Sequence, residues 1–515
     1  MESFIQQYEK DVIGHLSGFD RLVIRGTLRA LASVRGMFTY LRQAGVLLKD
    51  FGGFVMEKTR LLKEATCAEA IRLNRPVQYL PSPKISKEQE ARQIAQADGI
   101  KEGLICVLRS VEPCLSYEVF RNKEHKKLEL VPRLRKCLFF YHYWIHPVFG
   151  FMNARIQSWF PFSVQVCLNG REWLARQMDQ AGIRYDRLEN CFPWIEDVRK
   201  AQALMEEQLR TQWPTALRMV ARALNPAHEQ IVCPFHDDYY WSTYQGEWAT
   251  DVMFRSVEAL QRIYPALVRH GICAFDSTEV MRFLGKKPQA QFKGEVITDY
   301  GKRVEGIRLK HQLKSNSLKL YDKYGRVLRG ETTVNDPRDF KVYRPKEGDP
   351  QGPQSWRPMR KGVADLHRLA QISQASNERY FQALACVKVD RLVGDVVESV
   401  CRPARWKGRR VRPLRPWSKE DTALLRAINR AQFNIAGLRN RDLVSILFPG
   451  EHFPQIKRRL GARVSHRLRI LRAHGIIRKV HGTHRYQLTP KGRQVATAVI
   501  YTQHIPIARL SEIAA

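Results

Sequence analysis

Residues 462–493, ARVSHRLRILRAHGIIRKVHGTHRYQLTPKGR, constrain this chain more than any other stretch. Val464, Leu468 and Leu471 recur at i, i+4, i+7 as the buried stripe of a helix, and Gly475 supplies the residue that ends one. Residues 476–480 and 484–488 then read as two short strands around His481-Gly482-Thr483. Upstream, Ser418-Lys-Glu-Asp421 is a helix start signal ahead of Leu424, Leu425 and Ile428. A second apolar run, Leu443, Val444, Ile446 and Leu447, follows the turn at Gly437. Before all of these, residues 402–417 read RPARWKGRRVRPLRPW, with seven basic residues, three prolines and no acid. Such a segment buries too little apolar surface to fold alone and its charges repel, which predicts an extended linker.

Three helices, a basic hairpin and the close Leu488-Thr-Pro-Lys-Gly492 resemble the winged-helix family over residues 418–500, in the variety found among bacterial MarR-like regulators. The resemblance implies a helix at 463–474 lying in the DNA major groove and a hairpin tip reaching phosphate or the minor groove. The nucleic-acid-binding residues it points to are Arg463, His466, Arg467, Arg469 and Arg472 on the helix and Lys479, His484 and Arg485 on the hairpin. Arg405, Arg409, Arg410 and Arg412 of the arm join them, and Arg467 and Arg469 are the expected base readers. A dimerisation or protein-docking module of the same fold is the alternative. Residues 402–515 hold 25 Lys/Arg against 5 Asp/Glu, a net +20 of the chain's +35, which favours nucleic acid.

The remaining 401 residues still carry +15, so DNA, or a structured or guide RNA, is the expected partner throughout, ahead of an anionic membrane. The start, MESFIQQYEKDVIGHL, lacks the pattern of a secretory signal, and no run of about 18 apolar residues occurs. A bacterial cytoplasmic location is the expectation. Ten cysteines are scattered without a C-x-x-C pair, as structural thiols of a reducing compartment are. That spacing excludes a zinc ribbon or finger. With neither a P-loop nor a G-x-G-x-x-G motif, no nucleotide or dinucleotide cofactor is expected.

Residues 1–102 read as mainly helical, interrupted by a short strand in FDRLVIRGTL (19–28). Asp20 flanks that strand, where metal nucleases place a carboxylate, although a lone Asp is more often a cap or ion-pair partner. Residues 103–170 read as aromatic and β-branched strands, with connections too short for crossover helices and therefore antiparallel. His142 and His146 share one strand face, and a packed aromatic layer with Trp144 suits them better than a metal pair. Helices follow over 171–290, one of them kinked or broken at Trp213-Pro214.

Within that helical region, residues 233–254, CPFHDDYYWSTYQGEWATDVMF, set His236, Asp237, Asp238, Glu247 and Asp251 among five Tyr and Trp residues. The acids could hold a divalent metal for polynucleotide cleavage. Tyr240, Trp241 and Tyr244 could stack unpaired bases. Alternatively, Tyr240, Tyr244 and Trp248 at i, i+4, i+8 are the core stripe of a helix.

Residues 303–344 form a further β unit. A three-residue hairpin loop Lys323-Tyr324-Gly325 sets Leu320 opposite Leu328 and Leu318 opposite Gly330. A two-residue loop would mix apolar and charged faces. One face then carries Ser317, Lys319 and Tyr321 across from Glu331, Arg329 and Val327, with Arg308, Lys310 and His311 on the preceding strand. Its Tyr-Asp-Lys followed by Leu-Arg-x-Glu resembles rolling-circle replication initiators of plasmids and filamentous phage, which nick DNA with a tyrosine and a metal. The resemblance implies Tyr321 as nucleophile, Lys319 and Arg329 gripping the scissile phosphate, and Glu331 with Asp237, Asp238 and Asp251 holding Mg²⁺ or Mn²⁺. A charged face that holds phosphate without chemistry is the rival reading.

The expected architecture is α+β. A mixed, largely antiparallel body (103–345, after the helical 1–102) leads through a loop and helical connector (346–401) and the basic linker (402–417) to a winged helix (418–515). A body this large and basic points to a DNA-processing protein of a mobile element or plasmid: a nicking replication initiator, nuclease or transposase-like strand transferase. A non-enzymatic winged-helix regulator, or a partner of a structured RNA, is the alternative.

Overall fold

Residues 12–27, VIGHLSGFDRLVIRGT, hold consecutive buried runs at 16–20 and 22–24, broken by exposed Arg21 and Arg25, as a strand inside a sheet does. This strand, β1 (Val12–Thr27), sits inside a sheet of 11 strands in a computed structural model. The structure describes residues 1–82, 84–235, 238–286, 295–304, 306–346, 348–349, 351–385, 393–430, 433, 437–450, 453–480 and 482–503. The other strands of the sheet are β2 (Val77–Tyr79), β3 (Gly103–Asn122), β4 (Lys127–His146), β5 (Gly150–Gln157), β6 (Val164–Asn169), β9 (Tyr240–Phe254), β10 (Val296–Arg303), β11 (Gly306–Leu313), β12 (Asn316–Lys323) and β13 (Val327–Val334). A separate hairpin joins β7 (Tyr185–Leu188) to β8 (Cys191–Ile195). The order across the sheet is β10-β11-β12-β13-β9-β1-β6-β5-β4-β3-β2. Among the described registers only β2 with β3 is parallel. The fold is α+β with a largely antiparallel sheet.

Four sequence expectations change here. The N-terminal part is mainly helical as expected, but its strand is longer than the short one expected at 19–28 and lies in the middle of the sheet. Residues 240–254 are strand β9 and not a helix: Tyr240, Tyr244 and Trp248 fit helical spacing by coincidence, while Trp248, Thr250 and Val252 pair with β1. The unit at 303–344 is one wing of the same sheet, joined through β13 to β9. Finally, the β12–β13 register is displaced by two residues, with Leu320 opposite Gly330, Lys319 opposite Glu331 and Tyr321 opposite Arg329. The loop is Tyr324-Gly325-Arg326, with Tyr324 at φ 54° and Gly325 at φ 69°. A shift of two leaves every side chain on its expected face.

His142 is buried and stacks on Trp144 at 5.5 Å, as an aromatic layer requires. The expected long helix breaks into Val198–Glu207 and Trp213–Leu224, with Pro214 in the first turn of the second.

The chain divides into two compact units. The sheet unit comprises Met1, Tyr8–Arg262 and Ile297–Tyr380; the other comprises Glu2–Gln7, Ile263–Val296 and Phe381–Ala515. In the second unit, helices Lys419–Ile428, Asn440–Leu447 and Pro454–Ala473 precede a hairpin of Ile477–Lys479 and Tyr486–Leu488, then helix Pro490–Thr502. Leu438 bridges to Tyr486 as a short third strand. Gly475, at φ 71°, ends the long helix.

Residues 402–417 are not an extended linker. Ala404–Trp406 and Arg409–Val411 form a hairpin around Lys407-Gly408, both residues at positive φ. Leu414 shares a core with Val397 and Val400 of helix Val393–Cys401 and with Leu424, Leu443, Leu468 and Val495. That apolar burial outweighs the repulsion among the arm's charges. The helix at 393–401 likewise packs into this core instead of acting as a free connector.

Candidate functional site

Three side chains meet at the middle of the sheet, each from a different neighbouring strand. Glu331 of β13 and Glu247 of β9 lie on the face that also carries Lys319, Tyr321 and Arg329. The register between β1 and β9 slips between Phe19 and Arg21, so Asp20 is the extra residue of a bulge, a device that re-aims a side chain. Carboxylate oxygens of Asp20, Glu247 and Glu331 all lie within 4.8 Å of one another, the one such acid, His or Cys cluster among the described residues.

Buried arginines fix this geometry. Helix Gly170–Gln180 starts against β1, so closely that a Cβ on Gly170 would fall 1.7 Å from the Phe19 carbonyl oxygen. Asn169 caps it, accepting from the backbone N–H of Arg171 at 2.8 Å. The adjoining Arg171 side chain then donates to Asp251 Oδ2 at 2.9 Å. Arg329 donates to Asp251 through Nε (2.6 Å) and Nη2 (2.9 Å), and to the Asn190 carbonyl oxygen at 2.6 Å. Its Nη1 lies 3.0 Å from Asp20 Oδ1. Asn190 Nδ2 donates to the other Asp20 oxygen at 3.2 Å. Lys319 Nζ donates to Glu331 Oε1 at 2.7 Å and lies 3.4 Å from Glu247 Oε1.

Electrostatics set Asp251, Glu331 and Glu247 apart. Burial works against the Asp251 carboxylate, but Arg171 and Arg329 outweigh it and hold its pKa below the ordinary value. Burial is likewise outweighed at Glu331, by Lys319 and Arg329, so its pKa is lowered. Glu247 goes the other way: burial, then the charge of Glu331, raises its pKa. Its side chain is 14% exposed against 4% for Glu331, so the cluster opens to solvent at Glu247. Burial tends to lower the pKa of Lys319, yet Glu331 and Glu247 raise it. An all-oxygen set of three carboxyl groups suits a hard divalent cation such as Mg²⁺ or Mn²⁺. Asp20 Oδ1 is buried and makes no hydrogen bond, its partner being the Arg329 guanidinium 3.0 Å away.

The expected catalytic residues are brought together, but in altered roles. Arg329 is fully buried and committed to Asp251, Asp20 and Asn190, so it orders the acids and cannot grip a phosphate. Lys319 is held by Glu331 and Glu247. Tyr321 is pushed up to about 12, by burial and then by the Glu331 charge, which opposes the phenolate a nucleophile needs. The expected metal set changes as well. Asp251 is an arginine partner, Asp238 pairs with Arg218 at 2.8 Å, and Asp237 lies outside the described residues. Of that set only Glu331 belongs to the cluster, which Asp20 and Glu247 complete. A strand reading of 240–254 would have placed Glu247 and Asp251 on one face, two alternations apart.

Of the expected stacking residues, Tyr240 and Tyr244 are exposed, whereas Trp241 is buried. In the second unit, Arg405, Arg409 and Arg410 are exposed on the arm hairpin, with Arg405 directly opposite Arg410. Like charges so placed repel unless an anion lies over them. His466, Arg469, Lys479 and His484 are exposed, and Arg485 is half-buried. Arg463 donates to Glu420 at 2.8 Å, Arg412 is bidentate to Asp421 at 2.8 and 2.9 Å, and Arg472 lies over Trp406 at 4.7 Å. Arg467 is buried and 3.1 Å from Glu420, so it braces its helix and does not read bases.

No family model, curated protein or solved structure matches the chain.

Proposed function

We propose that the protein is a metal-dependent DNA-processing enzyme of the kind carried by mobile elements and plasmids, cleaving or transferring strand phosphodiesters. The convergence of Asp20, Glu247 and Glu331 carries this reading. Three carboxyl groups gathered from three strands repel one another, an arrangement that makes chemical sense where a divalent cation joins them. Such a cation, when bound, polarises the scissile phosphate and lowers the pKa of a water nucleophile. Asp20, Glu247 and Glu331 would hold it, Arg329 and Asp251 keep Asp20 in place, and Lys319 moves off Glu247 towards the incoming phosphate. In the second unit, the three helices and hairpin serve as a winged helix that binds DNA, with His466 and Arg469 towards the groove and the arm hairpin on phosphates.

Incubation with supercoiled and single-stranded DNA plus Mg²⁺ or Mn²⁺ is the test. Tight binding without strand breaks would instead support a non-enzymatic regulator or RNA partner, a reading that the Lys319 ammonium between two of the acids favours. Sequencing any RNA that co-purifies then separates regulator from RNA partner.

Metal binding should release a proton. Because the folded pKa of Glu247 is raised, the carboxyl retains its proton above the ordinary 4.5, and an incoming cation displaces it. Mn²⁺ affinity should therefore rise with pH from that value upward. Calorimetry in two buffers of different ionisation enthalpy reads the released proton directly. Glu247→Gln should abolish the release and weaken binding; an unchanged release would remove Glu247 from the ligand set.

For the arm, Arg409→Ala with Arg410→Ala should weaken binding to all duplex sequences. The slope of log affinity against log salt should flatten by about 1.8, two phosphate contacts at ~0.9 each. Arg469→Ala should instead relax sequence preference, at roughly 1–3 kcal/mol. Equal losses on every sequence from both changes would refute groove reading.

A further inference from the structure

The face that bears the acids continues along β1 and β9 as a row of arginine–tyrosine pairs. Arg21 opposes Glu247, and a second irregularity, between Val23 and Ile24, leaves Tyr244 as an extra residue of β9. Beyond it, Ser242 opposes Arg25 and Tyr240 opposes Thr27. The bulge therefore restores Arg25, four residues from Arg21, to a strand pair on the same face. The Arg25 guanidinium lies 4.8 Å over the Tyr244 ring, and Arg29, just past the end of β1, lies 3.5 Å over Tyr240.

Both rings are open to solvent, Tyr244 at 51% and Tyr240 at 37% exposure, and Arg21, Arg25 and Arg29 are exposed as well. Trp241 does the opposite. It turns to the covered face, where a Cβ on Gly26 would come within 2.6 Å of its ring. Gln165 of β6 sits beside Arg25 as a further polar neighbour. From Glu247 to Tyr240 the row spans seven residues of strand, about 23 Å at ~3.3 Å per residue.

We infer that this row is the track for an unpaired polynucleotide strand, leading its backbone to the acid cluster. The inference rests on the proposed cleavage site for its direction and not for its binding chemistry. Exposed rings offer faces on which unpaired bases stack whatever their sequence, while guanidinium groups at regular intervals meet the phosphates. A duplex presents only base edges in its grooves, so it makes little use of flat tyrosine faces. Neither tyrosine supports the core, and a run of exposed arginines in a chain of net charge +35 is complementary to a polyanion. The length fits the roughly 4–16 nucleotides that comparable single-strand sites cover.

The test uses the full chain in EDTA, so that no strand is cut, with fluorescence anisotropy of labelled 20-mers of dT and of rU and of a 20-base-pair duplex. Tyr244→Ala and Arg25→Ala should each weaken single-strand binding by about tenfold to a hundredfold. Tyr244→Phe should keep native affinity, and duplex affinity should not change. A loss in either the dT or the rU arm supports the track, and the more affected arm identifies the strand it takes. Native single-strand affinity in Tyr244→Ala and Arg25→Ala would overturn it, as would an equal loss on duplex. Both positions are exposed, and a melting curve confirms that the variants fold. Cleavage that depends on Glu331 alongside Tyr-insensitive binding would refute the track and leave the metal site standing. Tyr-sensitive binding with no cleavage in any metal would do the reverse.

Discussion

Glu331→Gln and Asp20→Asn should each reduce metal-dependent strand cleavage by at least about a thousandfold, roughly 4 kcal/mol of transition-state stabilisation. Both replacements are isosteric. Glutamine at 331 can still accept from Lys319, which now donates across 2.7 Å, and asparagine at 20 keeps an oxygen for Arg329. What is lost is the negative charge that would hold the cation. Affinity for DNA in EDTA should stay native, because the arm and helices of the second unit do not depend on the acids. Tyr321→Phe separates two chemistries: a water nucleophile predicts less than about tenfold loss, and a tyrosine nucleophile predicts complete loss. A thousandfold loss in Tyr321→Phe would restore covalent catalysis despite the raised phenol. Native cleavage in Glu331→Gln would remove the acid cluster from the reaction altogether.

The parts of the molecule governed by local periodicity were legible in the sequence. The helical stripe Val464, Leu468, Leu471 and the stop at Gly475 match helix Pro454–Ala473. The Ser418 start signal is a real cap, its hydroxyl accepting from the Asp421 N–H at 3.2 Å. Even with the β12–β13 register displaced by two, Lys319, Tyr321, Arg329 and Glu331 were expected on one face, because side-chain direction in a strand repeats every two residues. The acid cluster was not legible, since it depends on which distant strands lie side by side. Nothing local says that β9 runs between β13 and β1, separated from them by about 80 and 220 residues of chain. The helix-like spacing of Tyr240, Tyr244 and Trp248 concealed that strand, and with it the sheet face that Glu247 shares with Glu331. The same non-local pairing supplies Asp251 and Asp20 to Arg329, turning an apparent phosphate clamp into a buried brace. In the arm, seven positive charges concealed Leu414, whose burial ties the segment to the core.

Asp251→Ala should be the most destabilising single change near the site. Asp251 is almost wholly buried and accepts three hydrogen bonds, one from Arg171 and two from Arg329. Removing it leaves two buried guanidinium groups without their counter-charge, a loss of about 3–5 kcal/mol. Thermal unfolding followed by calorimetry should show the sheet unit melting about 5–15 °C lower. The pH dependence follows from the lowered pKa. A carboxyl whose folded pKa lies below its ordinary 3.8 contributes stability that is fully present above that value and is lost as pH falls through the folded pKa. The gap between native protein and Asp251→Ala should therefore be flat from about pH 5 to 8 and narrow below about pH 4. A replacement that removes one arginine with the acid, Asp251→Leu with Arg329→Met, should recover part of the loss, since of the two arginines only Arg171 is then left without its counter-charge. It should not recover cleavage, because Asp20 would lose the guanidinium 3.0 Å away that fixes its position. That split, stability regained and chemistry absent, marks the network as the support of the acids. An Asp251→Ala protein within about 1 kcal/mol of the native stability would mean that the two arginines find other partners, and the geometry of Asp20 would then need another cause.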